Sequence, residues 1–477
     1  MCQFDFIGLP RGDGLKISYY VRPWSYEYFQ YIANQGMAAH EASFVSDFKE
    51  LCDNDLSVAF YNTYGKWNGE LPSGLDSLIV EDIVARDRML RDMKGDVALR
   101  MVVSAYDSIN SYLENYSPDA FISVTIDSYI IDIFKYLCGR KGIAFFGVHL
   151  TMIKDYTLIT GRGELNDFRV VGAQEIEDVF KEVSSKSYSV TYVNNKDPSF
   201  VVGFKRWCRN LVKIPYFEVV RHLKSDRLNY HYLATMAVSK RRLNPGLLFT
   251  KRFFDRDWEE ALNTNRKKIY IPIQFHPECN SEYWSRVLEF MPYEKSFISV
   301  VKKLSKKYQL FIKEHPEMIG LRDPAFYREL QRCNNVTIVP VGVSQERLID
   351  DCNVSLTWNS SVGIESVMRG KPVITFANPM YAVGRCFLNI RTEKNMVELI
   401  ENFMSEKTGV NESEKKAVIA KILSTSIYGH PDECFFSLKD FTKKRDAKRL
   451  SISLEEHFES WYRWTVSENM QVKDLYR

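Results

Sequence analysis

KIYIPIQF (268–275), YQLFIKE (308–314), NVTIVPV (335–341), NVSLTW (353–358) and PVITFA (372–377) are short runs rich in β-branched and aromatic residues, bounded by polar or Gly/Pro positions. Each reads as a buried strand. Between them stand EKSFISVVKKLSKK (294–307), PAFYRELQRC (324–333), SQERLIDDC (344–352) and SSVGIESVMRG (360–370), whose apolar residues recur at helical spacing. Strands alternating with helices predict a parallel sheet covered on both faces, a Rossmann-like α/β architecture whose ligand lies beyond the carboxyl ends of the strands.

Working outward, DAFISVTI (119–126) and KGIAFFGVHL (141–150) flank the helical stretch DSYIIDIFKYLCGR (127–140), one further βαβ unit and the core of a second α/β domain. Helices are expected within 79–116, and about 165–200 carries no strong pattern. The sequence SKRRLNPG (239–246) reads as a turn where the connection between domains lies. The tail, ISLEEHFESWYRWTVSENM (452–470), reads as an amphipathic helix. The expected division is a Rossmann-like domain with helical insertions at 1–245, a second Rossmann-like domain at 246–430, and a helical segment at 431–477 that packs back on the first.

The 477 residues suit roughly three folding units, or two large ones. Apolar residues are 45%, charged 26% and aromatic 14%, which excludes a disordered chain. Lys plus Arg is 64 and Asp plus Glu is 61, a net +3 that gives no whole-chain attraction to nucleic acid, and no nucleic-acid partner is expected. The first residues show no leader pattern, and the most apolar stretch is broken by Asp132, Lys135 and Arg140, so a cytoplasmic protein is expected. Nine cysteines (Cys2, Cys52, Cys138, Cys208, Cys279, Cys333, Cys352, Cys386, Cys434) stand singly with no metal-site spacing and are expected as reduced thiols.

Three loops that follow predicted strands carry the chemistry: Gln274-Phe275-His276-Pro277-Glu278, Lys313-Glu314-His315-Pro316, and Asn359-Ser360-Ser361-Val362-Gly363-Ile364-Glu365. Ser360 and Ser361 at a helix start favour a phosphate through free N–H groups and the helix dipole, although a serine pair also serves as a simple N-cap. Glu365, one turn on, is within reach of a ribose diol. No GxxxxGK[ST] and no GxGxxG after a strand is present, which argues against P-loop and dinucleotide chemistry.

The order QxxPE, KEHP, SSVGxES and GKPVI followed by Tyr381, over roughly 265–385, resembles the capsule polysaccharide biosynthesis glycosyltransferases, a family that includes Kdo transferases; a weaker echo lies at 119–163. The resemblance implies a GT-B fold, two Rossmann-like domains facing a cleft with C-terminal helices. It also implies a CMP-activated acidic sugar, Kdo or a sialic- or pseudaminic-type nonulosonic acid, as donor, and a bacterial surface polysaccharide or lipid-linked glycan as acceptor. By resemblance His315, Ser360 and Ser361 contact the donor phosphate and Glu365 the ribose. Fixed N–H, O–H and imidazolium donors would hold the charge that develops on the departing phosphate, so neither metal nor cofactor is expected. Asp255-Arg256-Asp257 reads as a solvated turn rather than a metal motif.

For the catalytic carboxylate two candidates stand: Asp127, after the strand FISVTI, which could equally cap the next helix, and Glu278, which could equally be a surface loop residue. Arg162 is a candidate partner for a sugar carboxylate, and Gln274 and His276 for donor or acceptor. A UDP-sugar transferase or epimerase, a teichoic-acid-type transferase and a non-catalytic glycan-binding protein are the alternatives. Between Phe204 and Arg242 ten basic residues face two acidic ones, 10 − 2 = +8, interleaved with Trp207, Tyr216, Phe217, Tyr230 and Tyr232. Such a segment suits an anionic membrane surface on the inner face of the plasma membrane, or a helix with a solvated basic face.

Overall fold

The computed structural model describes residues 14–164, 166–185, 200–285, 287–376, 379, 381–407, 409–429, 438 and 441–475. Residues 1–13, the start of the stretch read for a leader, with Cys2, and Cys434 and 186–199 lie outside the described residues; the seven described cysteines are free.

Two sheets carry the chain. The first contains β1 (Lys16–Tyr20), β2 (Glu41–Ser46), β3 (Asn54–Asp55), β4 (Ala120–Val124), β5 (Ala144–Leu150), β6 (Tyr156–Ile159) and, from far downstream, β13 (Ser426–Tyr428). The second contains β7 (Lys268–Pro272), β8 (Gln309–Lys313), β9 (Val336–Val339), β10 (Val354–Thr357), β11 (Val373–Thr375) and β12 (Phe387–Asn389). The first has the order β13-β6-β5-β4-β1-β2-β3, parallel from β3 to β5 and antiparallel at β6 and β13. The second, β12-β11-β10-β7-β8-β9, is parallel throughout. Counted within its own unit, the second sheet has the doubly wound order 3-2-1-4-5-6, and the first has 3-2-1-4-5 before its antiparallel edge. The protein is therefore α/β with two Rossmann-like units, the GT-B arrangement.

Each topology has one switch point, where the chain leaves neighbouring strands in opposite directions and opens a crevice. In the second sheet it lies between β7 and β10, so the loops after these strands line it. Trp358, fully buried against Phe297, Phe376 and Tyr293 at centroid distances of 5.5, 4.7 and 5.3 Å, anchors the start of the loop after β10. Removing such a ring costs about 3–5 kcal/mol. The Val362–Met368 helix that follows needs Gly363: a Cβ there would stand 2.4 Å from the Tyr381 ring, whose hydroxyl donates to the Ser360 carbonyl at 2.6 Å.

The segment 246–430 is not confined to one sheet, as the sequence reading had it. β13 pairs antiparallel with β6, and Val418, Ile419, Ile422 and Leu423 join the core under the first sheet. Helix Phe441–Leu475 lies on the same core through Leu454, Phe458 and Trp461, whose indole donates to the Phe145 carbonyl at 3.1 Å. Asp255 is no solvated turn residue. It exchanges two hydrogen bonds with the backbone of Ile338 on β9, at 2.6 and 2.8 Å.

Candidate functional site

The loops after β7, β8 and β10 converge because β7 lies between the other two strands. Arg322 ties the first two loops together. Fully buried, it donates to Glu314 (2.7 Å), Glu294 (2.6 Å) and the Gln274 carbonyl (2.7 Å). Gln274 ties in the third. With its carboxamide oxygen turned toward that loop, it accepts from the backbone N–H of Asn359 at 2.7 Å and of Ser360 at 2.9 Å. Asn359 donates to the Asn280 carbonyl at 2.9 Å, and the Phe275 ring meets the His315 ring edge-on at 5.6 Å. His315 and Ser360 thus flank consecutive residues of one loop.

His315 accepts the Glu317 N–H on Nδ1 at 3.2 Å, so its proton sits on Nε2. Burial, with Arg322 and Lys313 nearby, pushes its pKa down to about 4. The expected imidazolium is therefore a neutral N–H donor. Ser360 Oγ accepts the Val362 N–H at 3.3 Å, while the Ser360 N–H is already taken by Gln274 and by Thr357 Oγ1, so it offers a hydroxyl and not a free amide. Ser361 is the N-cap of the Val362–Met368 helix and its hydroxyl bonds Glu365. Glu365 also accepts from Gln345 at 2.5 Å, and burial holds its pKa up.

Sequence reasoning passed over Lys313. It is 6% exposed, makes no ion pair among the described residues, and lies in the field of Glu346, Glu365 and His315; burial lowers its pKa. A desolvated ammonium near an imidazole N–H, on a loop that converges with that of the two serines, is suited to an anion.

Across the crevice, Asp127 follows β4 at the switch point of the first sheet. It does not cap the next helix: Ser128 is the N-cap, and the Tyr129 N–H is taken by Asp87 at 3.0 Å. One Asp127 oxygen pairs with Arg22 at 3.0 Å; the other, Oδ1, is buried with no hydrogen-bond partner among the described residues. Arg22, at the end of β1 and 5% exposed, also donates to Ser128 Oγ at 2.7 Å.

Glu278 is no simple surface residue. Burial raises its pKa to about 7, against a lowering by Arg88. Asp127 and Glu278, one carboxylate from each domain, both act electrostatically on the Cys279 thiol and on Arg88. Arg86, Arg88 and Arg91 hold the two domains in this relation. Arg88 and Arg91 pair with the fully buried Glu282 at 2.8 and 2.6 Å, and Arg86 donates to the Ser285 carbonyl at 2.6 Å. Tyr283 donates to Asp87 at 2.7 Å and Trp284 to Thr125 at 3.2 Å.

Two candidates take structural places. His276 is buried, with Nδ1 2.9 Å from Ser281 Oγ, and burial among arginines holds it neutral. Arg162 forms a two-point pair with Asp132 and a 2.9 Å pair with Asp82, so its donors are already engaged and it is not an open partner for a sugar carboxylate. Among the described residues, no cluster of three His, Cys, Asp or Glu side chains is arranged to hold a metal ion.

Residues 230–384 match the family model for capsule polysaccharide biosynthesis proteins, overlapping the motifs between 265 and 385 that carry the resemblance. No curated protein matches the sequence. Among solved structures the chain is similar to Thermosulfurimonas dismutans KpsC, beta Kdo 2,7 transferase (11% identity over 88% of this chain and 92% of that chain, TM-score 0.37). It is also similar to the beta Kdo 2,4 transferase of the same protein (10%, 66% and 82%, TM-score 0.32). A UDP-GlcNAc 2-epimerase from Neisseria meningitidis is a further neighbour (11%, 86% and 97%, TM-score 0.22).

Proposed function

We infer that this chain, whose residues 230–384 carry the capsule polysaccharide biosynthesis pattern, is a glycosyltransferase that moves an acidic sugar from a CMP-activated donor to a surface glycan or lipid-linked glycan. One observation supports the reading: Arg88 and the Cys279 thiol feel Asp127 from the first domain and Glu278 from the second, and Asn359 ties the loop of Glu278 to that of Ser360 through the Asn280 carbonyl.

The donor phosphate lies against the Ser360 hydroxyl, the His315 Nε2–H, the Lys313 ammonium and the Ser361 hydroxyl once it turns from Glu365. These groups stabilise the charge that appears on the leaving phosphate oxygen without need of a metal ion. Glu365 accepts from the ribose, held by Gln345. Glu278, poised near neutrality, exchanges a proton with the acceptor hydroxyl, because a base works best when its pKa is close to the working pH. Asp127 keeps one oxygen on Arg22 and offers the other to the reacting sugar.

Nucleotide release from CMP-Kdo, CMP-sialic-type sugars and UDP-sugars tests the donor: CMP release is expected, and release of UDP alone would refute it. Calorimetry with CMP tests the site. Ser360→Ala with Ser361→Ala is expected to weaken binding by about tenfold or more, the loss of hydrogen bonds to a charged group; unchanged affinity removes the phosphate assignment.

A further inference from the structure

Helix Phe200–Leu223 turns its two long faces to different surroundings. Inward, Arg206 donates to the carboxylate and carbonyl of Glu317 at 2.6 and 3.1 Å, Trp207 to the Leu243 carbonyl at 3.0 Å, and Phe217 packs on His231 and Tyr232. Outward stand Val201, Leu211, Val212, Tyr216, Val219 and Leu223, from 47 to 80% exposed. At about 100° per residue, Val201, Val212, Val219 and Leu223 fall within about 40° of one line along the helix. Single exposed apolar residues are ordinary; a stripe running the length of a helix is not.

Exposed Lys205 and Arg209 edge this stripe and make no ion pair among the described residues. Two copies of this face brought together would set those cations against their like, whereas anionic headgroups would neutralise them. An apolar line with a basic border is the pattern of a helix lying in a membrane interface. Among the described residues no helix is long and apolar enough to cross a membrane.

We propose that helix Phe200–Leu223 docks the protein on an anionic lipid surface, its apolar stripe sunk among the headgroups and Lys205 and Arg209 on lipid phosphates. Because its inner face rests on Glu317, two residues from His315, docking sets the crevice beside the bilayer, where a lipid-linked acceptor lies. That last step rests on the transferase reading; the docking itself does not.

Co-sedimentation of the whole chain with vesicles tests it, with no nucleotide present. Binding is expected to phosphatidylcholine vesicles containing about a third phosphatidylglycerol, weakening with salt, and not to phosphatidylcholine alone. Val212→Glu with Val219→Glu, and separately Lys205→Glu with Arg209→Glu, are each expected to lower the partition coefficient about tenfold or more. CMP affinity of the first pair stays at the wild-type value, which shows that the fold survives. Absence of binding to the anionic vesicles, or unchanged binding by both variants, overturns the proposal. So does a dimer in sedimentation velocity that the Val212/Val219 variant splits, since the stripe would then belong to a second copy.

Discussion

Replacing Arg322 with Met should separate the architecture of the crevice from its chemistry. Arg322 and Glu314 are both removed from water, and the guanidinium also holds Glu294 and the Gln274 carbonyl. Removing one member of a buried pair costs about 3–5 kcal/mol, because the remaining charge keeps its desolvation penalty without its attraction. Glu314 retains the Tyr327 hydroxyl at 2.6 Å and the His315 N–H at 2.7 Å, which argues for the lower end, about 3 kcal/mol. For a protein or domain of 150–250 residues that is about 6–12 °C in Tm. Urea unfolding of Arg322→Met, Glu314→Gln and the double variant measures it. The double variant should recover part of the loss, since it removes the stranded charge. CMP affinity should fall as well, because the loops after β7 and β8 lose their common tie. A single variant losing under about 1 kcal/mol, or a double variant no better than the sum of its parts, would refute the reasoning.

Two further outcomes concern the carboxylates. Glu278→Gln is expected to lower turnover by about 10²–10⁴ and to abolish the rise of wild-type activity through about pH 7; wild-type turnover in the variant removes Glu278 as the base. Its folded pKa of about 7 lies above the ordinary 4.5, so its neutral form contributes stability that is full below about pH 4.5 and lost as pH rises through about 7. The variant, neutral at every pH, should therefore gain stability relative to wild type across that window, which urea midpoints at several pH values will show. Asp127→Asn keeps an acceptor for Arg22, so the urea midpoint should move little while turnover falls about a hundredfold or more; a matched loss of both would make Asp127 a structural partner only.

The second sheet was legible because its strands are buried on both faces: KIYIPIQF and YQLFIKE are continuous apolar runs, and β7 and β8 lie inside them. The first sheet was legible only at β4 and β5. Its edge strand β3 is two residues long, and β13 comes from more than 260 residues downstream of β6, pairings that local pattern does not carry. Among candidate site residues, Ser360, Ser361, His315 and Glu365 stood out by following strands. Arg22, Arg88 and Arg322 did not, since an arginine buried against a distant carboxylate has the same local sequence as an exposed one. Arg162 misled for the same reason: its partners Asp132 and Asp82 lie 30 and 80 residues away. The protonation state of His315 was out of reach too, because burial set it and the sequence does not display burial.

The chain leaves the first sheet after β6, builds the whole second sheet, and comes back to lay down β13 and the terminal helix. The second unit is thus spliced into its neighbour at two seams, like a door hung on two pins. A single flexible linker would permit wandering; two restrict relative motion to a swing about the line joining them. Relative motion of the two units is thereby held to an arc about that line, with Asp127 on one side of the crevice and Glu278 on the other.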